Sequence, residues 1–578
     1  MTSHEASRVK ARYLLQIGAV VTGIVAVALQ VLAIHYQSLT ADEPHFLRAG
    51  YQAVHHGQNT MNLEHPPLVV MLAALPLAHM GIENPSRSTL KDPAFEPRVR
   101  LAGRYMLLVT IALPFLVSCF LLGREVAGTR AGVVLALTMG LSLNVIPFLA
   151  IVQTDAALGL GYLVTLYAVV RFMRDPRLLR VVGLGAGLGL TLAAKLSGIW
   201  LIPAVVLAIL ITPGSHFGWR RRIAYLSLVA LLSGVILHGT YALANRNYES
   251  TAGREAIHQV CHNGPQSTLI VDDQMRRFET PLLAIEQWDP LIAQYLTGLL
   301  GVAMQNKIGV YAAYAFGEIS TQGRWWFFPI LLLIRTPLVL LLATGYVLFS
   351  FIFHRFHSTR QNGPPDPCGR RIWVVLVVAV SLPLGVAICS KYNLGDRHLL
   401  PVLPLLFLPT AIWAARRRAV AGVLVGTLLV EAVALNPLWM SATNTWWLGD
   451  RNPTQDAVIF NSEYQQNFIA LADATRERGI DPLYIAFPVL PEAEMRTYQS
   501  NGLAVHPAQP LPPGWYAVNV IVEKFLPAVL KADPSAIYGY ERFGPLAEAW
   551  RPFSETMHRR GQDYGSIAGT FRLYYLPP

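Results

Sequence analysis

The chain has 578 residues, of which 53% are hydrophobic and only 14% charged, with a mean hydropathy of +0.40. A soluble globular chain carries about 25% charged residues, so this composition indicates a multi-pass membrane protein. The net charge of +11 does not argue for nucleic acid, because the basic residues fall in short clusters between apolar runs, where orientation signals belong.

The first apolar run, 13–34, follows Arg8, Lys10 and Arg12 and is longer than the hydrophobic region of a cleaved leader, so it reads as a retained anchor. Cleavage near Leu39-Thr40-Ala41 is a weaker alternative. A polar-mixed segment, 37–103, comes next. It contains Thr40-Ala41-Asp42-Glu43-Pro44-His45, then Glu64-His65-Pro66-Pro67, then a short apolar run, 68–80, expected to be interfacial or re-entrant. Further spans are expected at 105–123, 131–150, 156–171, 181–194, 198–213, 223–244, 326–352, 373–390, 398–414 and 419–436, about eleven with the first.

Arginine clusters occupy alternate connections: Arg124 and Arg130; Arg171, Arg174, Arg177 and Arg180; Arg220 to Arg222; Arg355, Arg360, Arg370 and Arg371; Arg416 to Arg418. By the positive-inside rule, these connections and the N-terminus are cytoplasmic. The opposite face then receives the segment 37–103, the turns at Asp155 and Lys195, the loop 245–325, the turn 391–397 and everything after about 437. Apolar runs cease after Asn436. The alternation of short β-like stretches (456–460, 483–487, 516–522, 571–576) with a helical one (464–478) predicts a small α/β domain outside the membrane. The expected fold is mainly α, a polytopic membrane domain over 1–436 and an extracytoplasmic α/β domain over 437–578. No fixed-period repeat is evident.

Charged residues at a lipid boundary are costly and are usually retained for protonic, ionic or metal work. Asp42 and Glu43 are therefore candidates for catalysis, although Thr40 or Asp42 could instead cap the following helix, with Pro44 in its first turn. Asp155 shares their face; a helix cap is its alternative role. Lys195, Arg335, Arg397 and His398 are candidate anion-binding cations, with snorkelling open for Arg335. His45, His55, His56 and His65 could join Asp42 or Glu43 around a divalent metal, but they lack the HExxH spacing, so a metal stays open and no other cofactor is expected. Trp325-Trp326-Phe327-Phe328 reads as an interfacial aromatic belt. The four cysteines, Cys119, Cys261, Cys368 and Cys389, are widely spaced and form no CxxC pair.

Carboxylates and cations on one outer face suit a lipid carrying a phosphate-linked group, its tail in the bilayer and its reacting carbon at the surface. Several stretches resemble the GT-C superfamily of membrane glycosyltransferases, most closely its protein O-mannosyltransferase and lipid A aminoarabinose transferase branch. They are Thr40 to His45 with Leu47-Arg48-Ala49-Gly50-Tyr51, Glu64-His65-Pro66-Pro67-Leu68, Gln153-Thr154-Asp155-Ala156, Gly317-Glu318-Ile319-Ser320, Arg335-Thr336-Pro337 and Gly395-Asp396-Arg397-His398. The resemblance implies inverting transfer of a sugar from a polyprenyl-phosphate donor to an acceptor hydroxyl of protein, lipid A or glycan. Asp42 would be the general base, Glu43 a neighbour shaping the site and Asp155 a second acid. Arg397, His398, Lys195 and Arg335 would bind donor phosphate, and His45, Arg48 and His65 substrate. Arg335 departs from the lysine of many relatives, and 461–468 is less acidic than its counterpart. A secondary transporter and a non-catalytic scaffold are the competing readings; mid-span charge and related halves, expected of transporters, are not evident.

Overall fold

The computed structural model describes residues 3–82, 85–90, 92–213, 218–263, 273–357, 367–444, 463–488, 497–498 and 502–578. Five described helices have the length and apolarity to cross a bilayer: Gln16–Tyr36, Glu96–Ala127, Thr154–Arg174, Trp219–Ala244 and Pro367–Cys389. Large apolar side chains on them, among them Ile24, Leu231, Val235 and Val377, are more than half exposed, as lipid-facing surfaces are. The chain is a multi-pass membrane protein.

The expectation of about eleven spans is finer than the helix lengths support. Several predicted spans are shorter apolar helices, among them Thr129–Gly140, Leu178–Ala194, Leu196–Ile211 and Leu403–Ala415. The predicted span 131–150 stops being helical at Gly140. Residues 141–145 are irregular, Ile146–Leu149 makes a single turn, and this whole stretch is buried. Irregular backbone is tolerated at membrane depth when protein encloses it. The predicted span 326–352 is two helices, Phe327–Arg335 and Leu338–Ile352, bent by 117°. The cause is Pro337, whose ring drives Thr336 to an extended ψ of 132° and which brings no N–H to continue the helix. The aromatic run before this break divides: Trp325 is 71% exposed, while Phe327 and Phe328 are buried in the core.

The expected re-entrant run is a short helix, Leu68–Ala74, continued by a tighter turn, Leu75–His79. Helix Glu43–Tyr51 lies directly on it. A Cβ at Gly50 would collide with the Val70 carbonyl oxygen, so only glycine allows the two backbones this approach. The predicted loop 245–325 is largely helical: Ser250–Asn263, Asp273–Arg276, Glu279–Trp288 and Pro290–Ile308, then a hairpin of β1 (Ala313–Ala315) and β2 (Glu318–Ser320).

Near the C-terminus five strands, β3 (Leu483–Ala486), β4 (Gly502–Ala504), β5 (Gly514–Asn519), β6 (Gln562–Ile567) and β7 (Phe571–Leu576), form one sheet in the order β4-β3-β5-β7-β6. β3 is parallel to β4 and β5; the other pairings are antiparallel, with Ala517 opposite Leu573. Alternation along the strands feeds two cores. Tyr516, Val518, Tyr574 and Leu576 pack with helix Tyr540–Arg560 and with Tyr314 of β1, while Ala517, Phe571 and Leu573 pack with helix Phe468–Glu477. The strands predicted at 483–487, 516–522 and 571–576 are present, the second ending at Asn519. The predicted helix 464–478 begins only at Phe468. The strand predicted at 456–460 lies outside the described residues.

Candidate active site

Asp42 and Glu43 are adjacent in sequence and opposite in environment. Glu43 is fully buried. Its Oε1 accepts from Arg104 Nε at 2.8 Å and Val152 N–H at 2.8 Å, and its Oε2 from Arg104 Nη2 at 2.6 Å and Thr40 N–H at 2.7 Å. Burial alone would raise its pKa, but the bidentate Arg104 and the two amides prevail and hold it below the ordinary value. Arg104 also donates to the carbonyls of Ile34, Gln37 and Ser38. Arg100, one turn away and paired with Glu96, donates to those of Ile34, His35 and Gln37. Two arginines thus close the C-terminal end of the first helix, whose last carbonyls have no intrahelical partner. Glu43, expected among the catalytic residues, belongs to this sealed network.

Asp42 occupies the N-cap position of helix Glu43–Tyr51 but makes no side-chain capping hydrogen bond among the described residues. Its carboxylate is 46% exposed and its partner is Arg397, with Nη1 3.2 Å from Oδ2. The Arg397 guanidinium lies over the Tyr464 ring, 4.8 Å from its centre, and the Tyr464 hydroxyl donates to the Leu394 carbonyl. The Arg397 Nε and the His398 Nε2 are buried with no hydrogen-bond partner among the described residues.

Asp155 stands in the first turn of helix Thr154–Arg174, where a negative charge suits the helix dipole, and accepts from Lys195 Nζ at 2.5 Å. The His398 Nδ1 lies 3.8 Å from the same carboxylate oxygen. Lys195 is delivered by the end of helix Leu178–Ala194, where the backbone turns extended. His65 hydrogen-bonds Asn62 through Nδ1 at 3.2 Å and stands edge-on to Phe46, 5.2 Å between ring centres. Desolvation, then the nearby Lys195 charge, lowers its pKa to about 3, so it is neutral. Lys195, Asp155, His45 and Arg397 all act electrostatically on His65, which puts these expected residues in one neighbourhood.

Glu64 enters the sequence pattern only within the Glu64-His65-Pro66-Pro67 motif, and it is the residue here that sequence reasoning undervalues. It is buried and accepts from Gln305 Nε2 at 3.1 Å, and the Tyr392 hydroxyl donates to Gln305. Burial, aided by the Asp42 charge and opposed by the Gln305 hydrogen bond, raises its pKa to about 7. Its signal is a lone acid before Pro-Pro in a loop expected on the Asp42 face.

One other placement is corrected. Arg335 does not face this cluster: it is fully buried, 3.4 Å from Asp396, and its nitrogens are taken by the carbonyls of Trp439, Ala442 and Leu143. Asp396 is steadied in turn by Asn144 at 2.9 Å. Arg48, expected on the substrate side, donates its Nε to the Pro85 carbonyl at 3.1 Å. Asp42, Glu43 and His45 do not make a metal-ligand set, because both Glu43 oxygens are filled by Arg104 and backbone amides.

Residues 99–240 match the dolichyl-phosphate-mannose-protein mannosyltransferase family. The chain is similar to apo ArnT of Cupriavidus metallidurans at 14% identity and a TM-score of 0.32, over 96% of this chain and 97% of that one. It is similar to the apo oligosaccharyltransferase of Archaeoglobus fulgidus at 12% identity and a TM-score of 0.42, over 96% and 74%. The protein O-mannosyltransferase Pmt1-Pmt2 complex of S. cerevisiae is similar at 18% identity and a TM-score of 0.31, over 43% and 35%. Comparison with curated protein sequences gives no match. The family match covers residues 99–240, about a quarter of the chain.

Proposed function

We propose that the chain transfers a sugar from a polyprenyl-phosphate donor to an acceptor hydroxyl at the extracytoplasmic face of a membrane, with inversion at the anomeric carbon. The observation that carries this reading is the Asp42–Arg397 pair: an accessible carboxylate with no capping duty, 3.2 Å from an arginine whose Nε has no partner among the described residues. The family matched by residues 99–240 takes its name from a lipid-phosphate sugar, which supports the donor class.

In this reaction the acceptor oxygen forms a bond to the anomeric carbon as the bond from that carbon to the donor phosphate oxygen breaks. The electron pair leaves with the phosphate, and the acceptor proton passes to Asp42. Arg397, Lys195 and His398 would bind the phosphate and stabilise the charge that develops on it. Asp155 holds Lys195 in place through its 2.5 Å contact. His45 and His65 line the substrate side. Glu43 and Arg335 support the framework without touching substrate. The membrane domain, residues 1–436, would carry the chemistry and 437–578 would lie outside, with the N-terminus cytoplasmic as the arginine clusters require.

The test is transfer from a panel of radiolabelled polyprenyl-phosphate sugars in reconstituted membranes, with protein, lipid A and glycan acceptors. Asp42→Asn is expected to lower the rate by about 10²–10⁴-fold, the usual range for loss of a general base. Arg397→Ala is expected to raise the donor KM. Transfer by Asp42→Asn at the parent rate would remove the base assignment. Accumulation of an unmodified solute by the parent chain, without transfer, would favour a transporter.

A further inference from the structure

A second cluster lies in the helical segment that follows Trp219–Ala244. His258 and His262 are four residues apart on helix Ser250–Asn263, so they share a face. Their rings stack with centres 4.1 Å apart and planes inclined by 28°. Glu279, the first residue of helix Glu279–Trp288, faces both: its Oε1 is 2.7 Å from His258 Nδ1 and its Oε2 is 2.8 Å from His262 Nε2. One ligand atom from each residue lies within 4.8 Å of the other two.

We propose that His258, His262 and Glu279 bind a divalent transition-metal ion of the zinc class. Two imidazoles and one carboxylate are the donor set that such ions prefer, whereas magnesium and calcium favour all-oxygen sites. A tetrahedral ion with bonds of about 2.0–2.1 Å holds its ligand atoms about 3.3 Å apart, so the 2.7 and 2.8 Å contacts would open slightly while the wider separations, all within 4.8 Å, close on it. The side chains can make that adjustment, being 48%, 29% and 22% exposed, and the same exposure admits the ion from solvent. In the metal-free chain each imidazole must carry its proton on the nitrogen facing Glu279. A bound cation replaces both protons while keeping all three partners, and three protein ligands leave a fourth position for water.

The site joins the last two turns of helix Ser250–Asn263 to the first turn of helix Glu279–Trp288. Directly beneath it Ile257, Val260 and Cys261 pack with Leu282 and with Leu63, the neighbour of Glu64. The ion would fasten the outer helices that support this loop. None of the three ligands belongs to the Asp42–Arg397 cluster, so the two assignments fail independently.

Tag-free full-length protein in detergent, stripped with a chelator, would be titrated with Zn²⁺ and with Co²⁺. Expected are one equivalent bound per chain, the visible absorption of four-coordinate Co²⁺, and a rise of several degrees in unfolding temperature. His258→Ala with His262→Ala should weaken binding by more than about 10-fold and abolish the rise. Glu279→Gln, which keeps the shape of the side chain and one carbonyl oxygen, is expected to weaken binding in a chain that folds. Cys261→Ser should leave both unchanged. Absence of saturable binding, or an equivalent retained in the double-histidine variant, would overturn the site; so would loss of binding in Asp42→Asn alone.

Discussion

Arg104 shows what one residue can be asked to do in a medium without water. It neutralises the buried carboxylate of Glu43 and fills carbonyls left open at the end of a helix. Arg104→Ala strands a buried charge, and the expected cost is about 3–5 kcal/mol, seen as a large fall in unfolding temperature and in yield. Asp42→Asn, one position from the carboxylate that Arg104 holds, should leave the unfolding temperature within a degree or two of the parent while transfer collapses. The division of labour between Asp42 and Glu43 could not be read from the sequence, because it is made by Arg104, sixty-one residues further on. That Asp42, Asp155, Lys195, Arg397 and His398 lie near one another was legible, since charge is scarce in this chain and alternate-loop arithmetic puts all five on one face. Arg335 was misjudged by the same reasoning: rarity signals a role, and only the Asp396 pair and the surrounding carbonyls reveal that the role is internal. Glu64 carries a pH signature of its own. With its pKa raised from 4.5 to about 7, the folded chain holds a proton between those values that the unfolded chain has lost. Its stabilising contribution is therefore complete below about pH 4.5 and falls away as pH rises through 7. Glu64→Gln lacks this dependence, so its stability relative to the parent should improve between pH 5 and pH 8 by up to about 3 kcal/mol, measured by thermal unfolding at the two pH values.

Helix Glu43–Tyr51 sets the direction of the Asp42 carboxylate, and its seat on Leu68–Ala74 depends on Gly50. Gly50→Ala inserts a methyl group where a carbonyl oxygen already lies, and should cost about 1–3 kcal/mol together with a loss of transfer, because the helix must rise from its seat. Gly81→Ala, at a turn glycine with open space around it, separates the two effects: its positive φ of 66° strains the backbone without moving the helix, so transfer should survive. The elements were only partly legible. Long apolar runs announced Gln16–Tyr36 and Thr154–Arg174 plainly. The same hydropathy concealed the break at Thr336-Pro337, where the proline was visible but the apolar run continued past it. Helices Ser250–Asn263 and Pro290–Ile308 escape a reading by apolar content, because helical periodicity rather than a long apolar run marks them. The edge strands β4 and β6 were missed for a related reason. β4 is three residues long and β6 begins with exposed polar residues and contains a register shift, so neither shows a clean alternation.

Two stretches far apart in the chain meet at the site. The backbone of Ser38 and Ala41 donates to the carbonyls of Gln466 and Tyr464, the Ser38 hydroxyl donates to Gln465 at 2.5 Å, and the Leu39 amide donates to the Tyr498 hydroxyl. Tyr464 then covers Arg397. Tyr464→Ala removes that cation–π contact and should raise the donor KM by about 2–30-fold, the range expected for 0.5–2 kcal/mol. Tyr464→Phe keeps the ring and should stay near the parent, as steady-state kinetics on the same donor would reveal. A chain ending at residue 444 should insert in membranes yet fail to transfer sugar. Such long-range closure was invisible in the sequence: nothing in 463–468 names its partner four hundred residues earlier, and the helix expected to start at 464 would have turned these carbonyls inward.

That closure also gives the protein an order of assembly. The ribosome delivers Asp42 early, with the first helix, and Arg397 much later; Tyr464 follows only after the membrane helices have all been made. Until then the 38–41 amides have no carbonyls to meet and Arg397 has no ring above it. A half-made chain in the membrane therefore carries both charges of the Asp42–Arg397 pair without their clasp, which closes only once residues 464–466 have been made.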